Sequence, residues 1–177
     1  MFPFKKTLAT ANRTLGKNSK EFVILHHTGT SAGSIDGVIR QLTTVLSCHF
    51  VVDVDGSAYK IGSPDDILWH AGVSEWNGRS DMNRFSLGIE IVGPTNGTFT
   101  DAQRKTVRAL TQHLMATFGI PSKNVLRHAD LTHALSSRGV QWDGKSPSRK
   151  VDVADSFWKI DRTAFSQYQA SLIPQAV

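Results

Sequence analysis

Phe22-Val23-Ile24-Leu25-His26-His27 decides how the chain is read. Its first four residues are a short apolar run rich in β-formers, so the segment is expected as a buried strand that ends in two histidines. Upstream, residues 1–20 are polar and basic with little periodicity. They read as a loosely held basic arm in front of a single domain spanning 21–177. Downstream, a Gly/Ser/Thr loop over 28–33 leads to Ser34, placed to cap a helix with Ile35, Val38, Ile39 and Leu42 at helical spacing.

The same reading extends along the chain. Residues 49–54 are expected as a second strand. Asp55-Gly56 signals a type I′ hairpin turn, and Ala58–Ile61 is the return strand. Residues 64–84 are rich in Gly, Asp and Asn but hold Trp69, His70 and Trp76, so they read as a long loop of functional character. Over 86–92, Leu87, Ile89 and Ile91 share one face of a strand and Glu90 points the other way. Thr100-Asp101-Ala102-Gln103 is a capping box for a helix whose apolar side is Val107, Leu110, Leu114 and Phe118, stopped at Gly119. A short strand ending at His128 and a last helix over 161–173 complete the expectation. The class is α/β: a central mixed sheet flanked by helices.

The chain has 177 residues, 40% of them hydrophobic, with nine Phe and four Trp, which is enough for a real core and excludes a disordered chain. A net charge of +5 suits an acidic partner, such as nucleic acid, anionic lipid or an anionic wall polymer, and equally suits plain solubility. The single cysteine, Cys48, excludes an intramolecular disulfide. Residues 1–20 contain no apolar run of signal-peptide type, and no stretch has the length of a membrane span. Synthesis in the cytoplasm without a signal peptide, no membrane insertion and a monomeric state are expected.

Seven histidines are candidates for metal binding: His26, His27, His49, His70, His113, His128 and His133. Of these, His26 and His128 fall where strands are expected to end, the place where α/β sheets gather their active sites. Spacing alone does not separate a ligand role for either from a structural one. Glu90 sits inside an apolar strand, where a carboxylate needs a partner or an exposed sheet face; Gly88 and Gly93 leave room for a ligand. Lys150 and Asp152 leave an extended segment on the same side. They are either a surface ion pair or an oxyanion stabiliser beside a metal ligand.

Several segments together resemble the type-2 N-acetylmuramoyl-L-alanine amidases, which include AmpD-type enzymes, phage endolysins and the animal peptidoglycan recognition proteins. These segments are Ile24-Leu25-His26-His27-Thr28, Ser47-Cys48-His49-Phe50 with Asp55-Gly56, and Trp69-His70-Ala71-Gly72-Val73-Ser74. They continue with Gly78-Arg79, Asn83, Phe85-Ser86-Leu87-Gly88-Ile89-Glu90, His128-Ala129-Asp130-Leu131 and Ser148-Arg149-Lys150-Val151-Asp152. The resemblance covers roughly residues 22 to 158, and its motifs are specific in combination.

That resemblance implies the recognition-protein fold and a zinc ion held by His26, His128 and Asp152. It implies Glu90 as the carboxylate that moves the proton of the attacking water and Lys150 as its electrostatic helper. Trp69, His70, Ala71, Arg79, Asn83 and His49 are the implied substrate-binding residues, and the substrate is peptidoglycan or a muropeptide. Three features depart from the family pattern. Cys48 stands where some members carry a catalytic Tyr, which places the chain beside the AmpD-type branch that relies on Glu. Val153 follows Asp152 where that branch usually has Pro. The stretch between His128 and Lys150, with Arg138, Trp142, Asp143 and Lys145, is longer than expected and bears on the groove's shape.

The expected activity is zinc-dependent hydrolysis of the bond between N-acetylmuramic acid and L-alanine, as a phage-type endolysin released to the wall during lysis. The alternative is a cytosolic AmpD-like enzyme recycling anhydro-muropeptides. A zinc peptidase is the next reading within enzymes, and a non-catalytic binding module is disfavoured because all the implied ligands and the Glu are kept. Nucleic acid is not expected as a partner, because no such motif occurs and Lys and Arg are spread along the chain.

Overall fold

The computed structural model describes residues 1–29, 34–93 and 98–131, together with Thr163, Ser166 and Gln167. In chain order the first elements are β1 (Lys6–Leu8), β2 (Arg13–Thr14), β3 (Phe22–His27), α1 (Ile35–Thr44), β4 (Phe50–Val52) and β5 (Ala58–Ile61). Then come β6 (Ile67–Leu68), β7 (Glu75–Trp76), β8 (Arg79–Ser80), β9 (Ser86–Ile91), α2 (Asp101–Phe118) and β10 (Val125–Arg127). Six strands form one sheet in the order β1-β5-β4-β9-β3-β10. The β4-β5 hairpin is antiparallel and β4, β9, β3 and β10 run parallel, so the sheet is mixed as expected.

Alternation along the strands sorts the sheet into two unlike faces. Val23, Leu25, Phe50, Val52, Leu87, Ile89, Ile91 and Val125 pack on one side with Val107, Leu110, Leu114 and Met115 of α2. Each large side chain removed from water there contributes roughly 1.5–3 kcal/mol. The helix starts where the sequence placed it. Thr100 Oγ1 accepts from Gln103 N–H at 3.1 Å and Gln103 Oε1 accepts from Thr100 N–H at 3.0 Å. It ends at Gly119, whose φ of +68° is the left-handed cap that favours glycine.

The other face is covered in two pieces. Val38 and Leu42 of α1 pack with Val51, Tyr59, Ile61, Val92 and Cys48. Phe22, Ile24 and Leu126 pack with Ala71, Met82 and Leu131 from the loop segments. Ser34 caps α1, its Oγ accepting the Gly37 N–H at 3.3 Å.

Three expectations need correction. Residues 1–20 are not a loose arm. β1 pairs in parallel with β5 as an edge strand, β2 pairs with β6, and Phe2 and Phe4 pack on the α2-side core. A two-residue strand and scattered aromatics leave too little periodicity to read. The 55–56 turn is not type I′, because Gly56 alone has positive φ, +82°, and its N–H closes the turn on Asp53 O at 2.9 Å. The 64–84 segment contains short pairings, β6 with β2 and β7 with β8, too brief for a period. The expected helix over 161–173 lies outside the described residues except for Thr163, Ser166 and Gln167, which are helical.

Candidate active site

The parallel strands bring the chemistry together at their C-terminal ends. His26 is the fifth residue of β3 and lies in register with Glu90 of β9, which is in turn in register with Val51 of β4. His128 follows β10 directly. Its turn is braced by Asp130, whose carboxylate accepts from the Arg127 main-chain N–H at 2.9 Å and from the Arg127 guanidinium at 2.7 Å. Side chains 22, 24 and 26 share the face opposite α2, as do 86, 88 and 90. His26 and Glu90 therefore stand side by side on the face opposite α2.

The imidazoles of His26 and His128 meet with Nδ1 to Nδ1 at 2.9 Å, and the rings are 1% and 3% exposed. At that distance two ring nitrogens share either a proton or a common cation. His128 Nε2 lies 3.1 Å from the Ala71 main-chain oxygen, which can only accept, so the neutral His128 ring carries its hydrogen there and turns a lone pair on Nδ1 toward His26. A carbonyl holding the far nitrogen is the usual support of a metal-binding histidine, and the pair fits zinc in donor type. Among the described residues no group of three His, Cys, Asp or Glu is placed to hold a metal. Asp152 and Lys150 lie outside the described residues, as does His133.

Glu90 is partly buried, with Oε2 fully covered. Cys48 lies close by in the interior. Burial, with the charge of Glu90 adding to it, pushes its thiol well above the usual range, and its Sγ–H donates to Phe50 O at 3.2 Å. Its full burial and the hydrogen it donates to Phe50 keep the thiol in the protonated form, away from solvent.

The six residues implied as substrate-binding divide by exposure. Trp69 is 41% exposed, steadied by Nε1–H to Thr14 Oγ1 at 2.9 Å. His49, His70, Ala71 and Asn83 are in the interior at 7% exposure or less and build the wall behind the histidine pair. Asn83 Oδ1 accepts from the main-chain N–H of His70 at 3.0 Å and of Ala71 at 2.8 Å. His49 Nδ1 accepts the Gly88 N–H at 3.0 Å, and burial lowers its pKa to about 4. Arg79 pairs with Glu21 and lies over the Phe85 ring. Since Glu21 precedes β3 and His26 stands five residues further on, Arg79 is anchored roughly 16 Å away along the strand.

Sequence reasoning missed Ser86, Asn18 and the Arg127–Asp130 brace. The brace had a sequence signal, opposite charges three residues apart around His128. Asn18 had none: its Nδ2 donates to Ser86 O at 2.7 Å across 68 residues. Gly88 was noticed as room for a ligand. The room is taken by His70, whose Cγ would lie 2.5 Å from a Cβ added there.

Comparisons with known proteins give the family and the fold. The chain is 32% identical over 112 residues to the 1,6-anhydro-N-acetylmuramyl-L-alanine amidase AmpD of Salmonella typhimurium, covering 63% of this chain and 52% of that protein. It is 31% identical over 142 residues to the N-acetylmuramoyl-L-alanine amidase XlyA of Bacillus subtilis, covering 77% of this chain and 42% of that protein. The chain thus spans about half the length of the curated relatives it matches. In structure it is similar to an AmpD crystal structure, with a TM-score of 0.69 at 22% identity over 93% of this chain and 96% of the other. The catalytic domain of XlyA gives 0.62 at 26% identity over 90% and 98%. The N-acetylmuramoyl-L-alanine amidase profile matches residues 16–150, and the chain belongs to that family.

Proposed function

We propose that the protein is a zinc-dependent hydrolase of the amide bond between N-acetylmuramic acid and L-alanine. The observation that supports this reading is the meeting of His26 with His128 at 2.9 Å while Glu90 stands beside His26 in strand register. Zinc would be held by His26 and His128 with Asp152 as the third ligand, which extends the catalytic unit past the described residues. Bound there, zinc supplies a Lewis acid that polarises the scissile carbonyl and acidifies the attacking water. Glu90 takes the proton of that water and delivers it to the departing alanine nitrogen. Lys150 steadies the negative charge that develops on the carbonyl oxygen. Trp69 offers an aromatic face to the substrate, and the buried His49, Ala71 and Asn83 support the site from behind. His26→Ala is expected to lose zinc and turnover together. A variant that keeps both would overturn the ligand assignment.

The substrate form is proposed as intact peptidoglycan, in an endolysin acting on the wall once the inner membrane is breached and working as a monomer. The net charge of +5 suits an anionic envelope. A second reading, recycling of soluble muropeptides, is favoured by the AmpD relatives named for the 1,6-anhydro substrate. An AmiD structure from E. coli, of the same fold, holds an anhydro-muropeptide. Intact sacculi and soluble anhydro-muropeptide offered side by side, with products identified by mass, decide between them. Cleavage of the soluble substrate alone would overturn the endolysin reading.

A further inference from the structure

Among the described residues Trp69 is the most exposed aromatic side chain, yet it is held at both ends. Its main-chain N–H donates to the buried Ser47 Oγ at 2.7 Å, and its indole Nε1–H donates to Thr14 Oγ1 at 2.9 Å. Thr14 is itself fixed, because β2 pairs with β6 with Thr14 opposite Ile67, and Arg13 reaches Asp66 at 2.7 Å. Two residues earlier, Asn12 Nδ2–H donates to Leu46 O at 3.0 Å. Leu46 precedes Ser47, so the chain after α1, residues 12–14 and Trp69 are stitched into one surface. Leu46 is 45% exposed and adds an apolar side chain to it. An exposed indole that is already immobile loses little further freedom when a partner lies on it.

We propose that Trp69 and Leu46 form a shelf for a sugar ring of the glycan strand, and that Thr14 and Asn12 are positioning residues that hold the shelf in place. The choice of a glycan rests on the amidase reading above; the fixing of the indole does not. The shelf is continuous with the site. His70 and Ala71 follow Trp69, their N–H groups both held by Asn83 Oδ1, and Ala71 O lies 3.1 Å from His128 Nε2. Trp69 is two residues from Ala71, a span of at most roughly 7 Å. The surface also matches a sugar in polarity. A pyranose ring has an apolar face of C–H groups and a rim of hydroxyls. The indole and Leu46 offer the apolar contact, and the Thr14 hydroxyl and the Asn12 amide oxygen stand at its edge to meet hydroxyls. Asn12 and Thr14 precede the family-matched span of residues 16–150, so this clamp comes from a part of the chain that the family profile does not cover.

The test uses the full chain and reads binding, which needs neither zinc nor turnover. A peptide-free N-acetylglucosamine tetramer is titrated while the indole N–H signals are followed by nuclear magnetic resonance. The Trp69 signal, identified by its loss in Trp69→Ala, is expected to shift saturably in wild type. Trp69→Ala is expected to weaken binding roughly 10-fold or more. Thr14→Val keeps the shape but removes the acceptor of the indole hydrogen. It is expected to weaken binding about 3- to 10-fold and to speed exchange of that hydrogen with water. Thr14→Ser keeps the hydroxyl and should restore both. A Trp69 signal that does not move with the tetramer would overturn the proposal whether or not any variant folds. So would equal affinity in wild type and a folded Trp69→Ala, and unchanged affinity and exchange in Thr14→Val would overturn the positioning role. Phosphatidylcholine vesicles serve as the second probe: a signal moved by vesicles and not by the tetramer would assign the shelf to lipid and overturn the glycan. If wild type binds the tetramer as expected but cleaves neither sacculi nor anhydro-muropeptide, the shelf stands and the amidase reading fails.

Discussion

The two faces of the sheet use the same strands for opposite ends. On the α2 side, Val23, Leu25, Leu87 and Ile89 meet Val107, Leu110 and Leu114 with hardly a polar atom between them. On the other side, one residue along each strand, stand His26, Gly88 and Glu90, and the fill around them is His49, His70 and Asn83. The apolar face tolerates any hydrophobic side chain of about the right volume. The polar face needs each donor matched to an acceptor, because an unmatched buried group costs on the order of 1–3 kcal/mol. Stability and chemistry are thus separated by a single step of the strand period, and substitutions on the two faces should fail differently.

The largest contrast is expected at Glu90. Glu90→Gln keeps the shape and removes the proposed base, so amidase turnover should fall about 100- to 10,000-fold. The melting temperature should stay close to wild type. A stable Gln variant with wild-type turnover would remove Glu90 from the mechanism. On the opposite face, Leu110→Ala is expected to cost about 2–5 kcal/mol in chemical denaturation while leaving turnover unchanged in whatever fraction stays folded.

Acid should strike the polar face first. His49 is held neutral in the fold, its pKa lowered from 6.5 to about 4 by burial. The unfolded chain binds a proton on this ring as pH falls below about 6.5, and the folded chain does not until about 4. Its contribution is therefore complete above pH 6.5 and is lost as pH falls through that window. The loss amounts to about 3 kcal/mol at most. Denaturant midpoints at pH 7, 5 and 4 should slope less steeply in His49→Asn, whose amide oxygen can still accept the Gly88 N–H. Equal slopes would show that other groups carry the acid sensitivity. The smallest effect is expected at Arg79→Ala. The ion pair with Glu21 is about half exposed on both sides. Its loss should change stability by less than about 1 kcal/mol.

Most of the sheet was legible because its strands alternate cleanly. Leu87, Ile89 and Ile91 announce one buried face, and Thr100 with Gln103 announces the start of α2. The histidine pair was legible only through the combined motifs, since His26 and His128 are 102 residues apart and meet by strand order, which no local period encodes. The wall behind them was read as substrate-facing because a motif names residues without saying which way they point. His70, Ala71 and Asn83 turn inward because the Asn83 carbonyl gathers two adjacent N–H groups there. The edge strand β1 escaped notice because three residues paired to Tyr59, Lys60 and Ile61 carry no periodicity of their own.

The first turns of α2 do more than begin a helix. Gln103 Nε2–H donates to Val92 O at 2.7 Å, Thr100 Oγ1–H to Val54 O at 2.8 Å and Thr106 Oγ1–H to Gly56 O at 2.8 Å. These bonds tie the helix start to the strand that carries Glu90 and to the β4-β5 hairpin. Amide hydrogens of β9 should consequently exchange with solvent only when the whole domain opens, whereas those of the two-residue pairing between β7 and β8 should exchange by local fraying. The position of Glu90 is therefore as long-lived as the folded state itself.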